Sequence, residues 1–356
     1  MASTDDKTAL KITLDDLAKV SVAAQSPAAA GAAPGTARQY GNIASRSDEP
    51  AVAEEGKSNI FLQGWFYLGV AGTLGALIGW AIGEPFFPDG QRQVGQHSFL
   101  ALMLIPLVLI FLCVGLSIAE SIVERSVGKA LQRAGLSLPL GLGLSVVFMM
   151  AGGLVFTIGQ EICFSLGVTT YKNPLFWLAR GLAWMVFASA AGIAYGVVGR
   201  FLKKGQYGVL GAIIGGGIGG MLFDPISIVT HSGGPSRAIG FALIGLTTGV
   251  AIGLVESALK DRWLYVAAGP LAGKQFILYK PFTVVGSSQQ CDIYLFKDPS
   301  VLARHGTIEL RGAQTFLHAD GQIYVSGQPA KNRALQSGDL IQIGKYAFHF
   351  RERHRK

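Results

Sequence analysis

Six long stretches almost free of charge dominate what this chain can fold into. They run over residues 62–83, 99–119, 138–158, 174–199, 206–223 and 238–256. Each is near the roughly 20 residues a helix needs to cross a bilayer. In hydrocarbon the backbone must satisfy its own polar groups, so each stretch is expected to be a helix. Residues 59–264 carry only 20 charged side chains in 206 positions. The whole chain is 15% charged, against about 25% in ordinary soluble domains. That balance excludes an average soluble enzyme, a disordered protein and a coiled coil.

Six crossings return the chain to the side on which it entered. Arg125, Lys129 and Arg133 follow the second stretch, and Arg200, Lys203 and Lys204 follow the fourth. Lys260 and Arg262 follow the sixth, while the opposite loops hold little beyond Arg92, Lys172 and Arg237. Positive charge stays on the cytoplasmic side, so both termini are expected there, in a multi-pass protein of a cell inner membrane. Arg180, near the start of the fourth stretch, is expected to snorkel to the interface. Glu84, Glu120, Glu161, Asp224 and Glu256 fall at span ends. They are expected to cap and pair there, Glu120 with Arg125 for example, leaving no acid pair to bind an ion.

Glycine recurs every four residues in three of these spans. Gly75, Gly79 and Gly83 form one ridge, Gly211, Gly215 and Gly219 a second, and Gly245, Gly249 and Gly253 a third. Residues four apart share a helix face, so each ridge is a groove into which a neighbouring helix can press. Helix packing is the expected role, with a pore or transport path as the alternative. The spans also read as three copies of a two-helix unit, in which Glu120 and Glu256 hold matching places.

Residues 1–58 are rich in Ala, Ser, Pro and Gly and are expected to be a disordered cytoplasmic tail, with a short amphipathic stretch at 8–20. The three cysteines, Cys113, Cys163 and Cys291, lie far apart, and the six histidines form no ligand spacing. Neither metal site, cofactor site nor catalytic constellation is expected.

From residue 264 the pattern becomes short alternating runs with turn residues between them. Nine strands are predicted, at 264–268, 275–279, 282–286, 291–296, 306–311, 314–319, 322–326, 340–344 and 346–351. This predicts an all-β sandwich over 264–356, after a membrane domain over 59–263. The block carries a Gly286 turn, Cys291-Asp292-Ile293, His305, a Ser326-Gly327 turn, and Gly338-Asp339 with Ile341 and Gly344. In that order these resemble a forkhead-associated (FHA) domain, over about 90 of the 356 residues.

The resemblance implies a peptide-binding module that takes phosphothreonine through loops at one end of the sandwich. The family pattern there is Gly-Arg, then Ser-x-x-His, then Asn-Gly. Here the arginine is Ser287, the serine is Leu302 and the asparagine is Ser326; His305 and Gly327 remain. Losing the guanidinium and a hydroxyl removes charge-assisted bonds worth about 1.5–3 kcal/mol each. Arg304 and Lys297 are the cations that could substitute, and Ser287 and Ser288 could still donate hydrogen bonds. The expected chain is therefore multidomain: an α-helical transmembrane bundle of six spans in three two-helix repeats, plus an all-β FHA-like sandwich. Its expected role is a membrane-localised signalling or assembly adaptor that meets a cytoplasmic protein partner, with or without phosphothreonine. The alternative is a channel or transporter regulated by that domain. A homo-oligomer is compatible with the glycine ridges. Nucleic acid is not an expected partner, because no groove-reading helix or aromatic platform accompanies the basic charge.

Overall fold

The computed structural model describes residues 59–86, 103–170, 172–230 and 233–353. The tail over 1–58 with its stretch at 8–20, the loop positions Arg92, His97 and His231, and the last three residues lie outside the described residues.

Six helices are long and apolar enough to cross a membrane. They are α1 (Gly64–Gly83), α2 (Leu104–Val123), α3 (Val127–Ser165), α4 (Pro174–Gly199), α5 (Leu202–Val229) and α6 (Gly234–Leu259). Asn173 starts α4 by accepting the Leu175 amide, with Pro174 at the first helical position, where its missing N–H costs nothing. Arg200 ends the same helix in the left-handed region at φ 61°. Successive helices pack on one another, α6 packs back on α1, and α2 reaches across to α4. The interior is apolar, with Leu112, Leu116, Ala188, Ala191 and Ala212 fully buried.

Each glycine ridge lies against a neighbouring backbone. A Cβ added at Gly79 would sit 2.6 Å from the Leu107 carbonyl oxygen, and at Gly75 it would strike the Phe111 carbonyl. At Gly83 it would meet the Leu104 side chain at 2.7 Å. The second ridge presses α5 on α6: Gly211 faces Ile252, Gly215 faces Thr247, and Gly219 comes within 2.7 Å of the Ile244 Cα in the same sense. The third closes α6 on α1, with Gly245 against Gly72, Gly249 against Leu68 and Gly253 against Trp65. Thr247 adds a hydroxyl donated to the Gly215 carbonyl at 2.7 Å.

Two expectations are corrected here. The turn after α2 is only residues 124–126; Lys129 and Arg133 ride on α3, which continues the helix well beyond the apolar stretch. Glu120 pairs with Arg133 at 3.1 Å and Lys204 at 2.9 Å, not with Arg125: Arg133 rides on α3, which packs against α2, and Lys204 reaches it from the first turn of α5. Arg180, near the start of α4, bonds Asp224 of α5 at 2.9 Å and lies over the rings of Phe156 and Phe223.

The β-sandwich begins two residues after α6, at β1 (Arg262–Ala268), earlier than the predicted strand. It continues through β2 (Gln275–Ile277), β3 (Phe282–Gly286), β4 (Ile293–Tyr294), β5 (Gly306–Arg311) and β6 (Gln314–Ala319). Then come β7 (Tyr324–Val325), β8 (Gln328–Pro329), β9 (Asn332–Leu335), β10 (Leu340–Ile343) and β11 (Tyr346–Glu352). One sheet has the order β2-β1-β11-β10-β7-β8 and the other β4-β3-β5-β6-β9. Their inner faces bury Leu264, Val266, Val285, Ile308, Leu317, Ile341, Phe348 and Phe350 in one core. Two strands, β8 and β9, escaped prediction.

Candidate functional site

The loops after β3, before β5 and between β7 and β8 hold the residues singled out in the sequence. Backbone bonds bring the first two loops together: Ser287 donates its amide to the Leu302 carbonyl at 2.9 Å, and Ser288 to that of Ala303 at 3.2 Å. Gly286 makes this possible, since a Cβ there would strike the Ala303 carbonyl. The Ser288 hydroxyl is used within its own loop, accepting the Gln290 amide at 3.2 Å. Cys291, at the end of this loop, donates its thiol to the Ala303 carbonyl at 3.1 Å, and burial pushes that thiol's pKa up.

His305 is 2% exposed and works as a staple. Its Nδ1 accepts the Leu302 amide at 3.0 Å, and its Nε2 lies 3.0 Å from the Gln322 carbonyl. An acceptor on one side and a carbonyl on the other select the neutral ring with its proton on Nε2. Asp298 secures the same loop from its other end. Burial opposes its ionisation, but bonds from the Ser300 hydroxyl and the amides of Lys345 and Ser300 hold its carboxyl below the usual range.

What the loops offer a ligand is mostly apolar and hydrogen-bonding. Leu302 is 51% exposed. Arg304 also points outward, but it pairs with Asp320 at 3.1 Å and donates to the Thr307 hydroxyl. Ser326 and Gly327 are the central residues of the β7–β8 turn, at φ 51° and 79°, a geometry that favours Asn-Gly and tolerates Ser-Gly. The Ser326 hydroxyl is given to Asp339 at 3.2 Å. Of the two cations near these loops, Arg304 is held by a carboxylate, while Lys297 is exposed before β5.

A second cluster, not anticipated from the sequence, joins the sandwich to the bundle. Lys274, between β1 and β2, is 1% exposed and donates to Glu124 Oε1 at 2.8 Å, beyond the end of α2. Lys129 of α3 lies 3.5 Å from Glu124 and donates to the Cys291 carbonyl at 2.6 Å, touching the recognition loop itself. Beyond β2, Tyr279 donates to Glu256 of α6 at 3.0 Å, and Tyr195 of α4 donates to the same carboxylate at 3.1 Å. Burial, and then the Glu256 charge, push the Tyr279 hydroxyl well above its ordinary pKa, so it stays a donor. Lys204, bonded to Glu120, lies 4.5 Å over the Tyr195 ring and links the two acids. Glu120 and Glu256 are thus members of one network rather than separate interfacial caps. Their matching places in the first and third copies were the only sign of this in the sequence.

Comparison with known proteins adds a family and several relatives. Residues 265–354 match the family described as the inner membrane component of the type III secretion system, cytoplasmic domain. An oxoglutarate dehydrogenase inhibitor of Corynebacterium efficiens is 36% identical over 90 residues, covering 24% of this chain and 63% of that protein. The glycogen accumulation regulator GarA of Mycolicibacterium smegmatis is 33% identical over 107 residues, covering 29% of this chain and 67% of that protein. The chain thus spans less than two thirds of the length of the corynebacterial relatives it matches. Among solved structures, an FHA domain from Chlamydia trachomatis is 22% identical with a TM-score of 0.25, covering 27% of this chain and all of that one. The N-terminal FHA domain of an S. cerevisiae protein, solved with a phosphothreonine peptide, is 15% identical with a TM-score of 0.25, covering 26% of this chain and 94% of that one.

Proposed function

Residues 265–354 of this chain belong to the forkhead-associated family, and from that premise we propose a membrane-held adaptor that recognises its partner without the family's phosphate clamp. The bundle crosses the inner membrane six times with both termini in the cytoplasm. It presents the sandwich to cytoplasmic proteins for signalling or for assembly of a membrane complex; the match to a secretion-system component gives the assembly role its support.

One observation carries this reading. Ser287, Leu302 and Ser326 stand where the family uses Arg, Ser and Asn, while His305, the residue that only braces the loop, is kept with both ring nitrogens occupied. The architecture of the loops is preserved, and the family's arginine, serine and asparagine are replaced. A partner segment that offers an apolar side chain to Leu302 and backbone groups to the serines fits what is left.

The test is binding of matched threonine and phosphothreonine peptide arrays to the full chain in nanodiscs. The expected result is binding that differs by less than about threefold between each pair; a preference of 100-fold or so for the phosphorylated member, equal to about 2.7 kcal/mol, would overturn the reading. A second reading, a channel or transporter governed by the sandwich, is favoured by the Glu120–Lys204–Tyr195–Glu256 network inside the bundle and its bond to Tyr279. Solute flux in liposomes that responds to Tyr279→Phe would support it.

A further inference from the structure

Two cavities meet at Arg200. The first is an apolar groove of about 630 Å³ on the outer face of the bundle between α4 and α5. It exists because Gly196 and Gly205 touch there, backbone to backbone, leaving a trough between Val197, Leu202 and Val209. Val197 is 57% exposed and Leu202 81%, so the trough opens outward, on the side that faces hydrocarbon in a bilayer. The second is a cleft of about 430 Å³ between the bundle and the sandwich. Five cations line it, Lys129, Arg133, Arg200, Lys204 and Lys280, against two carboxylates, Glu120 and Asp292. Arg200 and Phe201 belong to the walls of both.

Arg200 itself is the odd member. The other four cations are held by Glu124, Glu120 or Asp292. Arg200 is exposed, sits in the left-handed region where glycine or asparagine is at ease, and has no carboxylate partner among the described residues. A guanidinium carried where an apolar trough meets a basic cleft suits an amphiphile whose charged end is anionic.

We propose that an anionic membrane phospholipid binds at this junction, with an acyl chain along the α4–α5 trough and its phosphate at Arg200 in the mouth of the basic cleft. A free anion would leave the trough empty, and a phosphopeptide would have no use for a groove open to hydrocarbon. Lipid binding here does not depend on which peptide the FHA loops take, although the loop after β3 forms part of the cleft wall; it requires that the helices span the membrane.

Native mass spectrometry of the detergent-purified full chain tests this, with phosphatidylglycerol and phosphatidylcholine of identical chains as probes. Retention of the anionic lipid is expected to exceed that of the zwitterionic one by about fivefold, the effect of one basic contact. Arg200→Asn keeps the left-handed turn and should reduce the ratio to nearly one, while Arg200→Lys should keep it. Val197→Trp, which fills an exposed trough, should lower adducts of both lipids. Ten millimolar inorganic phosphate should leave the phosphatidylglycerol adduct in place. Equal retention of the two lipids by the unaltered chain, an unchanged ratio in Arg200→Asn, or displacement by phosphate would each overturn the proposal. Because Arg200→Lys reports on the same backbone position with its charge kept, loss in Arg200→Asn through misfolding would be recognised by loss in both.

Discussion

The hydroxyl of Tyr279, from the β-sandwich, and that of Tyr195, from α4, meet on one carboxylate, Glu256 in the last turns of α6. A residue of the sandwich therefore completes the hydrogen bonding of an acid that is itself 6% exposed. Tyr279→Phe leaves that acid one donor short, at a cost of about 1–3 kcal/mol. Faster hydrogen exchange is expected over 275–280, with the β5–β6 amides unchanged. Uniform exchange in both segments would refute a local role.

Lys274 and Glu124 are 1% and 3% exposed in their side chains and 2.8 Å apart. Removing Lys274 leaves the buried Glu124 with only the longer pair to Lys129 at 3.5 Å, so Lys274→Met alone should destabilise by about 1–3 kcal/mol, whereas Lys274→Met with Glu124→Gln should recover most of it. Thermal melting of the full chain in detergent gives the order. If the double variant melts as low as the single one, the pair is not the determinant.

The ridges make a contrast within one protein. Gly249→Ala drives a Cβ into the Leu68 carbonyl, whereas Gly143→Ala on α3 meets nothing within 4 Å. The first should cost about 1–3 kcal/mol through overpacking, and the second should be neutral or slightly stabilising. Matching melting temperatures for the two would sink the packing role of the third ridge.

Restoring the family residues, Ser287→Arg, Leu302→Ser and Ser326→Asn together, should create phosphothreonine binding where the unaltered chain has little. Gains of about 1.5 kcal/mol for each of two charge-assisted bonds correspond to roughly 100-fold in affinity. Titration with one phosphopeptide and its unphosphorylated twin measures it. No gain would mean that Lys129, bonded beside the loop at Cys291, or another feature holds the site closed.

The apolar spans were legible because hydrocarbon leaves a chain few choices: 174–199 matches α4 at both ends. The start of α3 was not, because Lys129 and Arg133 read as loop charges, yet a helix that leaves the membrane is free to carry them. The strand pattern found the sandwich but missed β8 and β9. Both are short, and β8 is an exposed sheet edge ending in Pro329, which alternation cannot register. The junction was hidden for a different reason. Glu120, Lys204, Glu256 and Tyr279 are far apart along the chain, and each looked ordinary in its own segment. Only the closing of α6 on α1 and the docking of the sandwich bring them together.

Two residues, Lys260 and Asp261, separate α6 from β1. A chain that short cannot serve as a leash, so the sandwich has almost no volume of its own to search. With the six helices in a bilayer, its reach would be the footprint of the bundle as it drifts in that plane. Every copy would then hold its loops at the same height and tilt, and a partner with two contact points would be selected by lateral spacing rather than by how far a domain can swing.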